Sequence, residues 1–286
     1  MDRDEPVTEA RASEAADLDL RTTLELVELM NREDATVPAA VAGARGDVAA
    51  VVDEIVERLG RGGRLVLAGA GTSGRLAQAE AAECRATFSS EAVLAVAANA
   101  DASEDDEGAG RDEVARLVLA DDVVVLVSAS GRTPFVLGAA RAAAASGAFT
   151  ACIVAAPDSE LADLCDRAIT VVVGPELLAG STRLKAGTAQ KLVLNTLTTV
   201  AMIRLGKTYG NLMVDVLPAN EKLRGRVRRI VQEATGAPGD AVEDALAEAG
   251  GDAKVAIVAL VAGVDADAAR AKLTAAGGNI RLALIP

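Results

Sequence analysis

The apolar positions along the chain change their period several times, and each change predicts a different element. Leu18–Met30 and Val37–Leu59 space their apolar residues in the three-and-four rhythm of a helix, interrupted by the polar NRED at 31–34. That predicts two N-terminal helices. From residue 64 onward, short unbroken apolar runs take over, at 64–68, 92–97, 123–127, 149–154 and 168–173. Runs of this length with no polar alternation read as parallel strands buried on both faces. Helical stretches separate them near 74–84, 105–118, 134–146 and 159–166, and a long helix follows at about 187–206. Such alternation predicts an α/β fold, a three-layer αβα sandwich on a parallel sheet.

The two ends of the chain read differently. Residues 1–16 are acidic and polar, and are expected to be disordered and not to form a signal peptide. From about 218 the pattern gives short helices only, punctuated by GAPGD at 236–240, AGGD at 249–252 and AAGGN at 275–279. The expected organisation is a disordered 1–16, an α/β domain with N-terminal helices over 17–217, and a small helical domain over 218–286.

Two loops carry the chemistry. GAGTSGR at 69–75 follows the apolar run Leu65–Ala68, and SASGRTP at 128–134 follows Val123–Val127. Each is rich in Gly, Ser and Thr, carries one Arg, and opens a helix. A helix N-terminus offers unpaired N–H groups and partial positive charge, so it attracts anions. Glycine lets backbone approach a ligand closely, and hydroxyls add neutral hydrogen bonds. Ligands in parallel sheets sit beyond the carboxyl ends of the strands, where both loops fall. The pair predicts a pocket for a small phosphorylated molecule. GAGTSG also fits the dinucleotide pattern G-x-G-x-x-G, but the acidic residue expected to end the second strand is replaced by Ala97, Ala98, Asn99 and Ala100. Tight turns without function would not need Thr72, Ser73, Ser128, Ser130 and Thr133 together.

Composition narrows the choice. The chain has 286 residues, three Phe, one Tyr and no Trp, and a formal net charge of −13. Scarce aromatics and a negative field argue against nucleic-acid partners. AIVALVAGV at 256–264 is too short for a membrane span. Cys84, Cys152 and Cys165 fit neither a zinc pattern nor a disulfide framework, which suits a reducing compartment. There is no histidine, so no Ser-His-Asp triad or imidazole proton shuttle exists. Acid–base chemistry near neutral pH falls to carboxylates, lysines or Tyr209.

The carboxylates with a claim are few. Glu80 and Glu83 share one face of the helix that the first loop opens. Glu80 reads as a residue of a solvated face. Glu83, in AAECRATF, is expected to be partly buried and held protonated as an acid. Glu104, Asp105 and Asp106 form a second acidic group, which ordinary helix capping would also explain. The segment 181–216 crowds Ser181, Thr182, Lys185, Thr188, Gln190, Lys191 and Asn195 at the start of an apolar helix. It reads as a third wall of the pocket or a subunit interface.

Together, GAGTSGRLA, AECRATF, SASGRTPFV, GPELLAGSTRLKAGTAQK and LGKTYGNLMVDV resemble the N-acetylmuramic acid 6-phosphate etherases of the sugar isomerase (SIS) superfamily. The resemblance runs from LELVELMNRED at 24–34 to RIVQEATG at 229–236 and into the C-terminal helices. It implies a SIS fold with a UBA-like C-terminal helical domain. It also implies cleavage of the D-lactyl ether by elimination and hydration, in cytoplasmic cell-wall sugar recycling, by a homodimer with no metal or organic cofactor. The family's two glutamates fall on Glu83 and on Glu104. Glu83 is expected to protonate the leaving lactate oxygen and Glu104 to act as base, toward C2 or toward the water that adds later, with the reverse assignment left open. Phosphate binding is expected at Ser128, Ser130 and Thr133, with Thr72, Ser73 and Lys185 as further substrate contacts. One departure is a segment before Glu104 shorter than the family usually shows. Two other functions remain open: a sugar-phosphate-binding regulator without turnover, and an aldose–ketose isomerase. Those isomerases commonly use a histidine, which this chain lacks.

Overall fold

The N-terminal helices start where side chains can satisfy their free amides. Thr22 caps α1 (Thr23–Asp34) in a reciprocal box: its hydroxyl accepts from the Glu25 amide, and the Glu25 carboxylate accepts from the Thr22 amide at 2.8 Å. The second expected helix is broken in two, α2 (Val37–Gly43) and α3 (Arg45–Gly60), because Ala44 leaves helical geometry between Gly43 and Gly46. The structure, a computed structural model, describes residues 10, 11, 15, 17–98, 101–216 and 221–285. The disorder expected for 1–16 and the boundary expected at 217–218 therefore lie largely outside the described residues.

Strand–helix alternation follows: β1 (Leu65–Ala70), α4 (Gly71–Phe88), β2 (Val93–Ala98), α5 (Asp101–Glu104), α6 (Glu107–Leu117), β3 (Val123–Val127), α7 (Pro134–Ala145), β4 (Phe149–Val154), α8 (Glu160–Leu164), β5 (Arg167–Thr170) and α9 (Lys185–Arg204). The five strands are parallel, in the order β2-β1-β3-β4-β5. Every residue of β1 and β3 is buried, as unbroken apolar runs require. The connection from β1 to β2 runs one way along the sheet and that from β3 to β4 the other. Right-handed crossovers therefore put α4 and α7 on opposite faces. On the α7 side, Val66, Ala68, Val124, Leu126 and Cys152 pack against Val114, Phe135, Ala139 and Ala143. At the amino ends of β1 and β3, the buried Asp122 carboxylate accepts from the Arg64 guanidinium at 2.6 Å and from the Leu119 amide at 2.9 Å.

The chain divides into two compact units, one of Met1–Ala82 with Ala92–Thr198, the other of Glu83–Glu91 with Thr199–Pro286. The second holds a two-stranded hairpin, β6 (Thr208–Tyr209) and β7 (Leu212–Met213), that the sequence pattern does not reveal. Five helices follow: α10 (Glu221–Thr235), α11 (Gly239–Glu248), α12 (Ala253–Ala262), α13 (Ala266–Ala275) and α14 (Ile280–Ala283). Asp252, Asp265 and Asn279 cap α12, α13 and α14 with their side chains. Val231, Ala256, Ile257, Val258, Ala269 and Ile280 form the core of this unit. Among the described residues no single helix is long and apolar enough to cross a membrane.

Candidate active site

The strand register puts the two sequence loops side by side. Gly69, near the end of β1, pairs with Val127, the last residue of β3. The strand order reverses between these two strands, so their carboxyl ends open the crevice where ligands of such sheets bind. Each turn is held by its own chemistry. Gly71 has φ of +54°, and a Cβ there would lie 3.0 Å from Glu104 Oε2. A Cβ on Gly74 would meet the Gly69 carbonyl oxygen at 2.8 Å and Ala97 Cβ at 3.0 Å. The first loop is thus glycine-rich because strand, turn and carboxylate close on it.

In the second loop the Ser128 hydroxyl accepts from the Gly131 amide at 3.1 Å and shares a hydrogen bond with Thr133 Oγ1 at 3.0 Å. The Ser130 hydroxyl accepts from the Arg132 amide at 3.3 Å. Pro134 opens α7, and no side chain caps its first turn. By contrast, the first amides of α9 are taken by the buried Glu176, which accepts from Lys185 and Ala186 at 3.0 and 2.9 Å. The open amides of α7 are therefore the ones left for an anion.

Between the turns lies a cavity of about 350 Å³. Thr72, Ser73, Ser128, Ser130 and Thr133 line it, together with Glu104. Six of the eight residues expected at the site thus come together. Ser73 donates to Gln190 Oε1 of α9 at 2.9 Å, and Arg75 donates to Thr72 Oγ1 at 3.1 Å. Glu104 is half-buried, and among the described residues it has no hydrogen-bond or ion-pair partner. A carboxylate so placed, among neutral hydroxyls, is free to take a proton from a bound molecule. The EDD group divides its work: Glu104 faces the cavity while Asp106 caps α6, accepting from the Ala109 amide at 2.9 Å.

Two expected residues lie elsewhere. Lys185 does not line the cavity; it is buried and its ammonium holds Glu33 at 2.7 Å. Thr182, with Gly180, supplies the wall instead, and Arg75 a cation. Thr182 and Arg75 stand in the quoted motifs, but nothing in spacing alone separates Thr182 from Lys185. Glu83 is exposed rather than partly buried, and Glu80 is buried rather than solvated. The helix stripe explains the reversal. α4 buries Ala77, Glu80, Cys84 and Phe88, spaced three and four apart, and Glu83 falls beside that line. The Glu80 carboxylate accepts from Lys191 at 2.8 Å and from the Thr198 hydroxyl at 2.6 Å. Glu83 belongs to the other compact unit than the residues that line the cavity.

A larger cavity, of about 490 Å³, lies in the helical unit beside Asp215, Lys254 and Arg270. Its cations are occupied: Lys254 by Asp215 at 2.6 Å and the Gly278 carbonyl at 2.9 Å, and Arg270 by the Ala249 carbonyl.

Five parallel strands with hydroxyl-bearing turns at the reversal of strand order define a SIS domain, and the SIS domain family matches residues 59–200. The fold is shared with a phosphoheptose isomerase from Francisella tularensis (TM-score 0.53, 19% identity, 64% of this chain and 100% of that one). Curated relatives match far more closely. An N-acetylmuramic acid 6-phosphate etherase of Streptomyces avermitilis is 54% identical over 269 residues, 90% of this chain and 86% of that protein. One of Rubrobacter xylanophilus is 53% identical over 271 residues, 91% and 90% of the two chains. The chain belongs to the N-acetylmuramic acid 6-phosphate etherase family.

Proposed function

We propose that the cavity binds N-acetylmuramic acid 6-phosphate and that the enzyme cleaves the ether between D-lactate and C3 of that sugar. The products are N-acetylglucosamine 6-phosphate and D-lactate, within cytoplasmic cell-wall sugar recycling. The observation that carries this reading is the Glu104 carboxylate, poised over the Gly71 turn with no partner among the described residues, in a cavity lined also by hydroxyls and by Arg75. Ser128, Ser130, Thr133 and the open amides of α7 are the seat for the phosphate. Thr72 and Ser73 face the sugar.

In the open-chain sugar the C1 aldehyde acidifies the proton on C2. Glu104 takes that proton, the electron pair forms a C2–C3 double bond, and the C3–O bond breaks. The lactate oxygen receives a proton from a second carboxylic acid. Water then adds to C3, and C2 recovers a proton. One water is consumed, and no cofactor enters the balance; the class is a carbon–oxygen lyase. Glu83 of the AEC motif is the family's candidate for the second acid, and its place on α4 is exposed. A homodimer is supported by Leu20, Leu24 and Val27, spaced four and three apart and 80%, 66% and 50% exposed.

The test is D-lactate release from N-acetylmuramic acid 6-phosphate. Wild type releases it, and Glu104→Gln lowers kcat by about 10²–10⁴-fold while N-acetylglucosamine 6-phosphate still binds. Wild-type turnover in Glu104→Gln removes this residue from the reaction. Tight binding of the substrate with no lactate identifies a regulator instead.

A further inference from the structure

A second cavity, of about 280 Å³, adjoins the first through Thr72, which lines both. Thr72 divides them by its own chemistry. Its hydroxyl accepts from Arg75, which lines the polar cavity. Its methyl faces α9, where a Cβ on Gly187 would lie 3.7 Å from it. The second cavity also differs in character: Leu76 and Leu192 line it, with two cations, Arg183 and Lys191. Lys191 holds the buried Glu80 at 2.8 Å. Arg183 has no hydrogen bond or ion pair among the described residues. The stretch that brings Thr182 to the polar cavity brings Arg183 to the apolar one.

The substrate of the proposed reaction has a matching division. Its phosphate suits neutral hydroxyls and open helix amides. Its lactyl group is a methyl and a carboxylate on one carbon, and a small apolar recess with one unengaged guanidinium complements both. In a chain of net charge −13 a second anion needs a local cation. We propose that the second cavity is the subsite for the D-lactyl group, with Arg183 binding its carboxylate and Leu76 and Leu192 meeting its methyl. Thr72 then stands at the sugar's C3, between the two recesses. This assignment rests on the etherase reading for its ligand, and the experiment separates the two.

The probes are 1,5-anhydro-N-acetylmuramic acid 6-phosphate, which has no C1 aldehyde and cannot eliminate, and its counterpart lacking the lactyl group. Calorimetry gives Kd for both on wild type, Arg183→Met and Arg183→Lys. Wild type should prefer the lactyl-bearing probe. Arg183→Met should cut that preference by about 10-fold and leave the lactyl-free Kd unchanged, which also shows that the variant is folded. Arg183→Lys should keep part of the preference, since it keeps the charge without the fork. An unchanged preference in Arg183→Met, or equal weakening of both probes, overturns the assignment. Failure of wild type to release lactate from the true substrate, with an Arg183-dependent preference intact, ends the etherase reading and leaves the subsite standing.

Discussion

Asp122 shows how much one buried side chain governs at the end of the sheet opposite the cavity. Burial alone would raise its carboxyl, but the hydrogen bond from Arg64, the Leu119 and Arg64 amides and the guanidinium charge overcome it and hold the group below the usual carboxylate range. A carboxyl lowered in the folded state contributes stability that is present above its unfolded value, near pH 4, and is lost as pH falls through the folded value. Asp122→Asn should cost about 2–4 kcal/mol at pH 7, because it leaves the Arg64 charge unpaired. The deficit should shrink as pH falls below about 4, toward the lowered folded value. Melting curves of the two proteins running parallel across that range would place the effect elsewhere. Other single residues show the limits of reading a chain. Glu80 and Glu83 sit three apart, and only the apolar stripe through Ala77, Cys84 and Phe88 decides which goes in. Lys185 could not be assigned from its neighbours, because its partner Glu33 lies 152 residues away.

At the scale of elements, the turns are the rigid parts. Gly131 has φ of +64°, and a Cβ there would fall 2.3 Å from Ser159 Oγ. Gly131→Ala therefore meets both backbone strain and a buried side chain. It should cost about 1–3 kcal/mol and raise KM for the phosphosugar more than it lowers kcat, since this loop is the proposed phosphate seat. A wild-type melting temperature with wild-type KM would show that the turn yields freely. All five parallel strands were legible in the sequence because burial on both faces leaves unbroken apolar runs. The hairpin of β6 and β7 was not, since two residues per strand show no alternation. The hydroxyl-bearing turns were legible for the same reason as the strands they follow. Glu104 was legible only through family resemblance, because EDD also looks like a cap, and Asp106 is one.

At the scale of the whole molecule, the proposed homodimer rests on one exposed surface. The stripe of Leu20, Leu24 and Val27 is an apolar surface that water does not favour. Sedimentation at micromolar concentration should give twice the 28.9 kDa of one chain, and the double change Leu24→Glu, Val27→Glu should return it to monomer. A monomeric wild type, or an unaltered dimer in the double variant, would discard that surface. The cavity between the two hydroxyl-bearing turns has a separate physiological consequence. The proposed phosphate seat there is built mainly of hydroxyls and peptide amides rather than of a bank of lysines. Recognition by neutral dipoles is short-ranged and is weakened little by added salt. Beyond a few ångströms the acidic surface turns nucleotides and other crowded metabolite anions away, and only an ester shaped to reach those dipoles gains by entering.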